Sequence, residues 1–310
     1  MVETKELTKI YESRKKPVIA VDHVNIRIER GAIFGILGPN GAGKTTLMMM
    51  LTGFILPSNG SAEVLGYDIV KDSLMIRRRV GILPEGLGFY DNLTGKQNLN
   101  FIAALNDVPK NERDKIVDEA LKAVALDEFE ERKVGAFSRG MKQRLGIAQT
   151  LIKDSEILIF DEPTAGVDPD GAKMFKDLVS KLNREQGKTV LISTHLLFEV
   201  GPLCTHISIM NRGRFIIQGK TEEIVERIMG EEGYRIEVEV KSNSKALAEE
   251  LKSLSGVTYV GVNERNIYIE ATSDIRSDIV RASIMKGVEI LSIKRLEPSL
   301  EDIFMKVLSK

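Results

Sequence analysis

Gly38-Pro39-Asn40-Gly41-Ala42-Gly43-Lys44-Thr45-Thr46 matches the pattern G-x-x-x-x-G-K-S/T. Glycines let a backbone turn successive N–H groups inward, so a loop of this composition cradles phosphate oxygens. Lys44 adds a point charge for β- and γ-phosphates, and the Thr45 hydroxyl suits a Mg²⁺ ligand. A helix N-terminus beneath the loop favours anions. Further along, the apolar run Ile157-Leu158-Ile159-Phe160 ends in Asp161-Glu162. Asp161 can hold Mg²⁺ through water, and Glu162 can polarise the water that attacks a γ-phosphate. Alone, an apolar strand ending in two acids reads as a solvated turn. Downstream of a phosphate loop, the chemical reading wins.

Such residues need rigid elements to aim them. Ala32-Ile33-Phe34-Gly35-Ile36-Leu37 reads as a buried strand entering the loop, and Thr45 to Phe54 as the helix leaving it. Glu156 to Phe160 and Thr189 to Ser193 read as two more strands, each followed by a helix-like segment. That alternation predicts an α/β core with a parallel sheet, which binds ligands at the carboxyl ends of its strands. Val18 to Glu29 alternates loosely, as one half-buried strand would. Apolar residues at three- and four-residue steps (Ile116, Ala120, Ala123, Val124) predict a helical subdomain over about residues 95–153, inserted into that core. The character changes near Ile228. The remainder reads strand (Tyr234 to Val240), helix (Lys245 to Leu254), strand (Val257 to Val262), strand (Ile267 to Ala271), helix (Ile275 to Met285), strand (Val288 to Ile293) and a last helix from Ser299. We therefore expect domains over 1–228 and 229–310, the second a small α+β unit of ferredoxin-like order.

Between the loop and the acids lies Phe137-Ser138-Arg139-Gly140-Met141-Lys142-Gln143-Arg144. This stretch resembles the Leu-Ser-Gly-Gly-Gln signature of ATP-binding cassette (ABC) ATPases, and the order of motifs is also that family's. Asp161-Glu162-Pro163-Thr164-Ala165-Gly166-Val167-Asp168-Pro169 resembles its acidic strand running into the D-loop, and Ser193-Thr194-His195 its switch histidine. Tyr11, seven residues before Val18, sits where the family stacks an aromatic ring on adenine; a plain surface tyrosine is the other reading. The resemblance spans roughly residues 1 to 220. It implies a P-loop ABC ATPase core that binds ATP and Mg²⁺, with Thr45, Asp161 and Glu85 around the metal. It further implies Glu162 as general base, His195 as γ-phosphate sensor and Lys44 on the phosphates. Gly38 to Thr46 would cradle ATP, while Ser138, Gly140 and Asp168 would complete the site of a second copy in a head-to-tail homodimer. Ser138 also fits a helix N-cap on structural grounds alone. The pattern departs in three places: Arg139 replaces the signature's first glycine, Met141 its glutamine, and Glu85 the glutamine of the Q-loop. The exporter-type branch, whose ATPases serve a membrane permease on a separate chain, is the one this sequence resembles. Glu85 to Leu93 is then a candidate surface for that permease.

Bulk properties bound the alternatives. The 310 residues hold 44 Lys plus Arg and 45 Asp plus Glu, a net charge of -1, which argues against a nucleic-acid partner. Arg77-Arg78-Arg79 reads as a solvated helix face. Cys204 is the only cysteine, so no internal disulfide forms and a reducing, cytoplasmic setting is expected. The N-terminus has no apolar stretch, and the apolar runs are strand-length against the roughly 20 residues a spanning helix needs. Any membrane role would run through the permease, with this chain peripheral on the inner face. Two other classes stay open: a soluble ABC ATPase uncoupled from transport, and a cassette gated by a ligand of its C-terminal domain. The first usually carries coiled-coil insertions or two cassettes per chain, and this sequence has neither.

Overall fold

In chain order the N-terminal part begins with β1 (Val2–Tyr11), β2 (Val18–Val24), β3 (Arg27–Ile28) and β4 (Ile33–Leu37). There follow α1 (Lys44–Leu51), β5 (Asn59–Val64), β6 (Tyr67–Asp68), α2 (Ser73–Arg79) and β7 (Val80–Leu83). Next come the helices α3 (Gly95–Leu105), α4 (Lys110–Ala123) and α5 (Arg139–Leu151), then β8 (Ile157–Asp161), α6 (Pro169–Gln186) and β9 (Thr189–Thr194), and last β10 (His206–Asn211) and β11 (Arg214–Lys220). The computed structural model describes residues 1–13, 16–86, 88–196, 200–224 and 234–296. It divides into two units, Met1–Thr221 and Glu222–Lys310.

One sheet of the first unit runs β11-β10-β4-β9-β8-β7, with β10, β4, β9, β8 and β7 all parallel. Every residue of β4, β8 and β9 is buried. Parallel strands covered on both faces need such unbroken apolar runs, which is why these three are so plain in the sequence. Their registers, Leu37 opposite Thr194, Asp161 opposite Ser193 and Leu83 opposite Phe160, bring four carboxyl ends to one edge. The helical insertion leaves after β7 and returns at β8. Thr94 and Gln97 form a reciprocal capping box at the start of α3. Ser138 caps α5, and Asp168 followed by Pro169 starts α6.

A second, antiparallel sheet, β2-β1-β5-β6 with β3 beside β1, packs residues such as Val2, Leu7, Val21 and Val64 into one core with Phe34, Ile36, Leu47 and Ile159. The single strand expected over Val18 to Glu29 is two strands. His23 takes a positive φ of 50°, and the Asn25 side chain accepts a hydrogen bond from the Glu6 N–H, which turns the chain before β3. Arg77-Arg78-Arg79 is only partly solvated: Arg77 donates to the Gly53 carbonyl and lies over the Phe54 ring, and Arg79 lies over Tyr67.

The second unit contains β12 (Tyr234–Val240), α7 (Ser244–Leu251), β13 (Val257–Asn263), β14 (Asn266–Ala271), α8 (Arg276–Met285) and β15 (Ile290–Leu296). Its sheet order is β13-β14-β12-β15, all antiparallel, around Ile236, Val238, Val240, Leu247, Ile267 and Ile279. The β-α-β-β-α-β order is the expected one. The last strand begins two residues later than expected and runs on to Leu296. The helix expected from Ser299, and the expected boundary after residue 228, lie outside the described residues.

Among the described residues no helix is long and apolar enough to cross a membrane. Cys204 is buried, and a Cβ on Gly35 would fall 2.9 Å from its sulfur. Burial pushes its thiol from 9.0 up to about 12. The folded thiol thus keeps its proton where the unfolded one loses it, so this group's contribution to stability is full below pH 9.0 and falls as pH rises towards 12. At about pH 8 the native protein should resist iodoacetamide that readily alkylates the unfolded chain. Mass spectrometry showing fast native alkylation would contradict this burial.

Candidate active site

Where β4 ends, the Gly38 N–H donates to the Thr194 carbonyl at 3.2 Å and joins the loop to the end of β9. The loop then enters α1 through Gly43, at φ 107°, a left-handed conformation that glycine tolerates best. A Cβ there would also lie 2.1 Å from the Ala20 carbonyl oxygen. α1 has neither a side-chain cap nor an acidic residue in its first turn, so no carboxylate of its own competes for its N-terminal N–H groups. Lys44 is buried, and its ammonium donates back to Gly38 O at 2.8 Å and Pro39 O at 3.2 Å. Thr45 and Thr46 occupy the first turn of α1, Thr45 exposed.

Beside the loop, β8 delivers the acids. The Ser193 hydroxyl, one strand over, donates to Asp161 Oδ1, while the buried Asp161 Oδ2 has no hydrogen-bond partner. Glu162 departs from the strand with φ 49°, unusual for a residue with a side chain and typical of functional turns. Its N–H is held by the carbonyl and hydroxyl oxygens of Ser193, at 3.1 and 3.2 Å. Its carboxylate is only 9% exposed. Oε1 lies 3.2 Å from the Lys44 ammonium, an ion-pair contact, and makes no hydrogen bond. Oε2 lies 2.9 Å from His195 Nδ1. An ionised carboxylate only accepts, so Nδ1 carries the hydrogen. Lys44 at the start of α1, Glu162 just past β8 and His195 just past β9, well separated in the chain, thus meet at the carboxyl edge of the sheet.

A cavity of about 400 Å³ opens at the acidic pair, lined also by Glu85, Arg139, Lys142 and Gln143. Glu85 is exposed, just beyond β7. Ser138 and Asp168 are each engaged at a helix start: Ser138 Oγ accepts from Met141 N–H at 3.2 Å, and Asp168 Oδ1 from Gly171 N–H at 2.9 Å. Gly140 lies in the first turn of α5. Tyr11 ends β1 at 40% exposure, opposite Val18 in the strand that runs past Gly43, with the Lys9 ammonium 5.2 Å from its ring. Sequence reasoning missed Ser193 as an orienting residue, although a buried serine closing an apolar strand beside His195 was a usable signal. It also gave no role to Gln143, whose side-chain amide donates to the Pro163 carbonyl at 3.0 Å.

The family model of the ABC transporter matches residues 21–165, and that of the DrrA1-3-like ATP-binding protein C-terminal domain matches residues 219–308. The chain is 36% identical over 308 residues to the bacitracin transport ATP-binding protein BcrA of Bacillus licheniformis, covering 99% of this chain and 97% of that one. It is 34% identical to the daunorubicin resistance ATP-binding protein DrrA3 of Streptomyces coeruleorubidus, covering 92% of this chain and 90% of that one. Among solved structures, a dimeric ATP-binding cassette in a post-hydrolysis state with ADP and Pi aligns with a TM-score of 0.67 at 27% identity. That alignment covers 71% of this chain and 99% of the other.

Proposed function

This chain belongs to the ABC transporter ATP-binding proteins, exporter-type subunits whose ATP hydrolysis drives transport, and on that premise we propose which residues do the work and with which partners. Glu162 is the general base and His195 the group that senses the γ-phosphate. The single observation that carries this reading is the Glu162 carboxylate, shielded from solvent and set between Lys44 and His195. Gly38 to Thr46 and the α1 N-terminus bind the phosphates, and Tyr11 stacks on the adenine.

The donor set fits Mg²⁺. Asp161 Oδ2 is a buried acceptor with its hydrogen-bonding capacity unspent, and Thr45 offers a hydroxyl in the first turn of α1. Among the described residues no three His, Cys, Asp or Glu side chains converge as an all-protein cage. Mg²⁺ does not need one, because it keeps waters and substrate phosphate oxygens as ligands. Asp161, Thr45 and Glu85 would hold it. When bound it supplies charge neutralisation along the phosphates. The protein's own part is to fix Asp161 through Ser193 and to hold Glu162 out of bulk water.

The working unit is a homodimer in which Ser138, Gly140 and Asp168 of one copy complete the ATP site of the other. The dimeric state of the similar cassette supports this. An integral membrane permease docks on the Glu85 to Leu93 segment, where exposed Tyr90 meets Phe101 edge-to-face at 5.3 Å. The chain would thereby sit at the inner membrane face. The names of BcrA and DrrA3 support antibiotics or related toxic compounds as cargo, moved outwards.

Phosphate release by the purified protein should require Mg²⁺ and stop in EDTA. Lys44→Ala should weaken ATP binding about 10- to 100-fold, the scale of one or two hydrogen bonds to a charged group. Undiminished hydrolysis in EDTA would defeat the metal assignment, and unchanged ATP affinity in Lys44→Ala the phosphate-loop assignment.

A further inference from the structure

The start of α5 is fastened to two other segments of its own chain. Lys142 Nζ donates to Asp91 Oδ1 at 2.9 Å, on the side of the proposed permease surface. Gln143 Nε2 donates to the Pro163 carbonyl at 3.0 Å, one residue beyond Glu162. The third attachment is Arg139. Gly166 has φ 74°, and a Cβ built on it would fall 2.5 Å from Arg139 Cζ and 2.6 Å from Nε. The guanidinium therefore rests against the Gly166 backbone, in the space a side chain would claim. It also lines the cavity that holds Asp161 and Glu162.

We infer that Arg139 is a positioning residue for hydrolysis, clamping the 163–168 segment of its own chain so that Glu162 keeps its place. Glu162 needs such a clamp because, among the described residues, its left-handed backbone N–H is held only by Ser193. On the downstream side the turn is closed by Ala165 N–H to Glu162 O at 3.2 Å and Val167 N–H to Thr164 O at 3.3 Å, both near the long end of the hydrogen-bond range. Arginine suits the task. Its planar, permanently charged head packs on backbone and is drawn towards the Asp161 and Glu162 carboxylates across the cavity. The signature pattern that this stretch resembles has glycine at this position, which has no side chain to make such a contact. The inference rests on the proposed head-to-tail dimer for its consequence. There Ser138 and Gly140 serve the partner's ATP while Glu162 serves its own, and Arg139 ties one helix start to both sites.

The test compares Arg139→Ala and Arg139→Lys with the wild-type full-length protein in steady-state ATP hydrolysis. Displacing a base by a fraction of an ångström to an ångström should lower kcat of Arg139→Ala about 10- to 100-fold, with KM for ATP changed less than about twofold. Arg139→Lys should recover part of the loss. Combining Arg139→Ala with Gln143→Ala should cost less than the product of the two single effects, since both hold the same segment. The side chain is exposed, so folding should survive, and circular dichroism checks it. An unchanged kcat overturns the inference. So does a raised KM at constant kcat, which would mark a direct contact with nucleotide, or a lysine variant no better than alanine. Wild-type protein without any hydrolysis would instead count against the proposed function.

Discussion

In the Glu162→Gln protein ATP should bind with near-normal affinity while phosphate release slows about 10²- to 10⁴-fold, the usual worth of a general base. Glutamine keeps the length and shape of the side chain and can still accept from His195, so the left-handed turn and its Ser193 bonds survive. What it lacks is a charge able to take a proton from water. Asp161 is held independently by Ser193, and Lys44 retains the Gly38 and Pro39 carbonyls, so the phosphate and metal groups stay in place. Equilibrium nucleotide binding and single-turnover hydrolysis measured on the same preparation separate the two effects. Turnover within a few fold of wild type would remove Glu162 from the chemistry.

Ser138→Arg and Lys44→Ala should each be inactive alone and recover hydrolysis on mixing. Arginine at the α5 cap removes the acceptor for Met141 N–H and fills the face offered to a second copy, while the lysine change disables the loop. Half of randomly paired dimers are mixed, and each holds one intact site, so about a quarter of wild-type activity is expected if the sites fire independently. The firmer measurement is the mass of Glu162→Gln by light scattering with saturating Mg-ATP. A strictly monomeric protein there would exclude a shared site. A dimer without complementation on mixing would mean that both sites must fire together.

The parts of this molecule that chemistry depends on were the most legible. The phosphate loop is contiguous, and β4, β8 and β9 are buried on both faces, so their apolar runs stand out without any knowledge of their neighbours. The second unit was readable because its strands alternate: in β12, Ile236, Val238 and Val240 point inward and Glu239 outward. The antiparallel sheet was not. β1 pairs with β5 from Val2–Val64 to Thr8–Asn59, and β5 has only Ala62 and Val64 buried, too weak a pattern to announce a strand. Similarly, Glu162 and His195 each had a motif, but their contact at 2.9 Å follows from the register of Asp161 with Ser193, which only the folded sheet specifies. Arg139 was visible merely as a departure from a pattern. Its partner Gly166 is 27 residues on and gives no sign of its own.

The strand that carries the phosphate loop waits longest for its neighbours. Ile33 pairs with Val190, and the adjoining Gly31 N–H meets the Thr189 hydroxyl, 158 residues further along the chain. At about 5–20 residues per second on the ribosome, roughly 10 to 30 seconds pass before β9 exists to cover β4. During that interval one of the most apolar segments of the chain is an unpaired strand with a glycine-rich loop at its end, a form that invites mispairing and aggregation. The C-terminal unit has no such delay, because β13 and β14 form a hairpin that closes as soon as it emerges. Synthesis thus exposes the catalytic sheet to chaperones and proteases for most of its length, so variants that weaken β9 or β10 should appear first as lost yield.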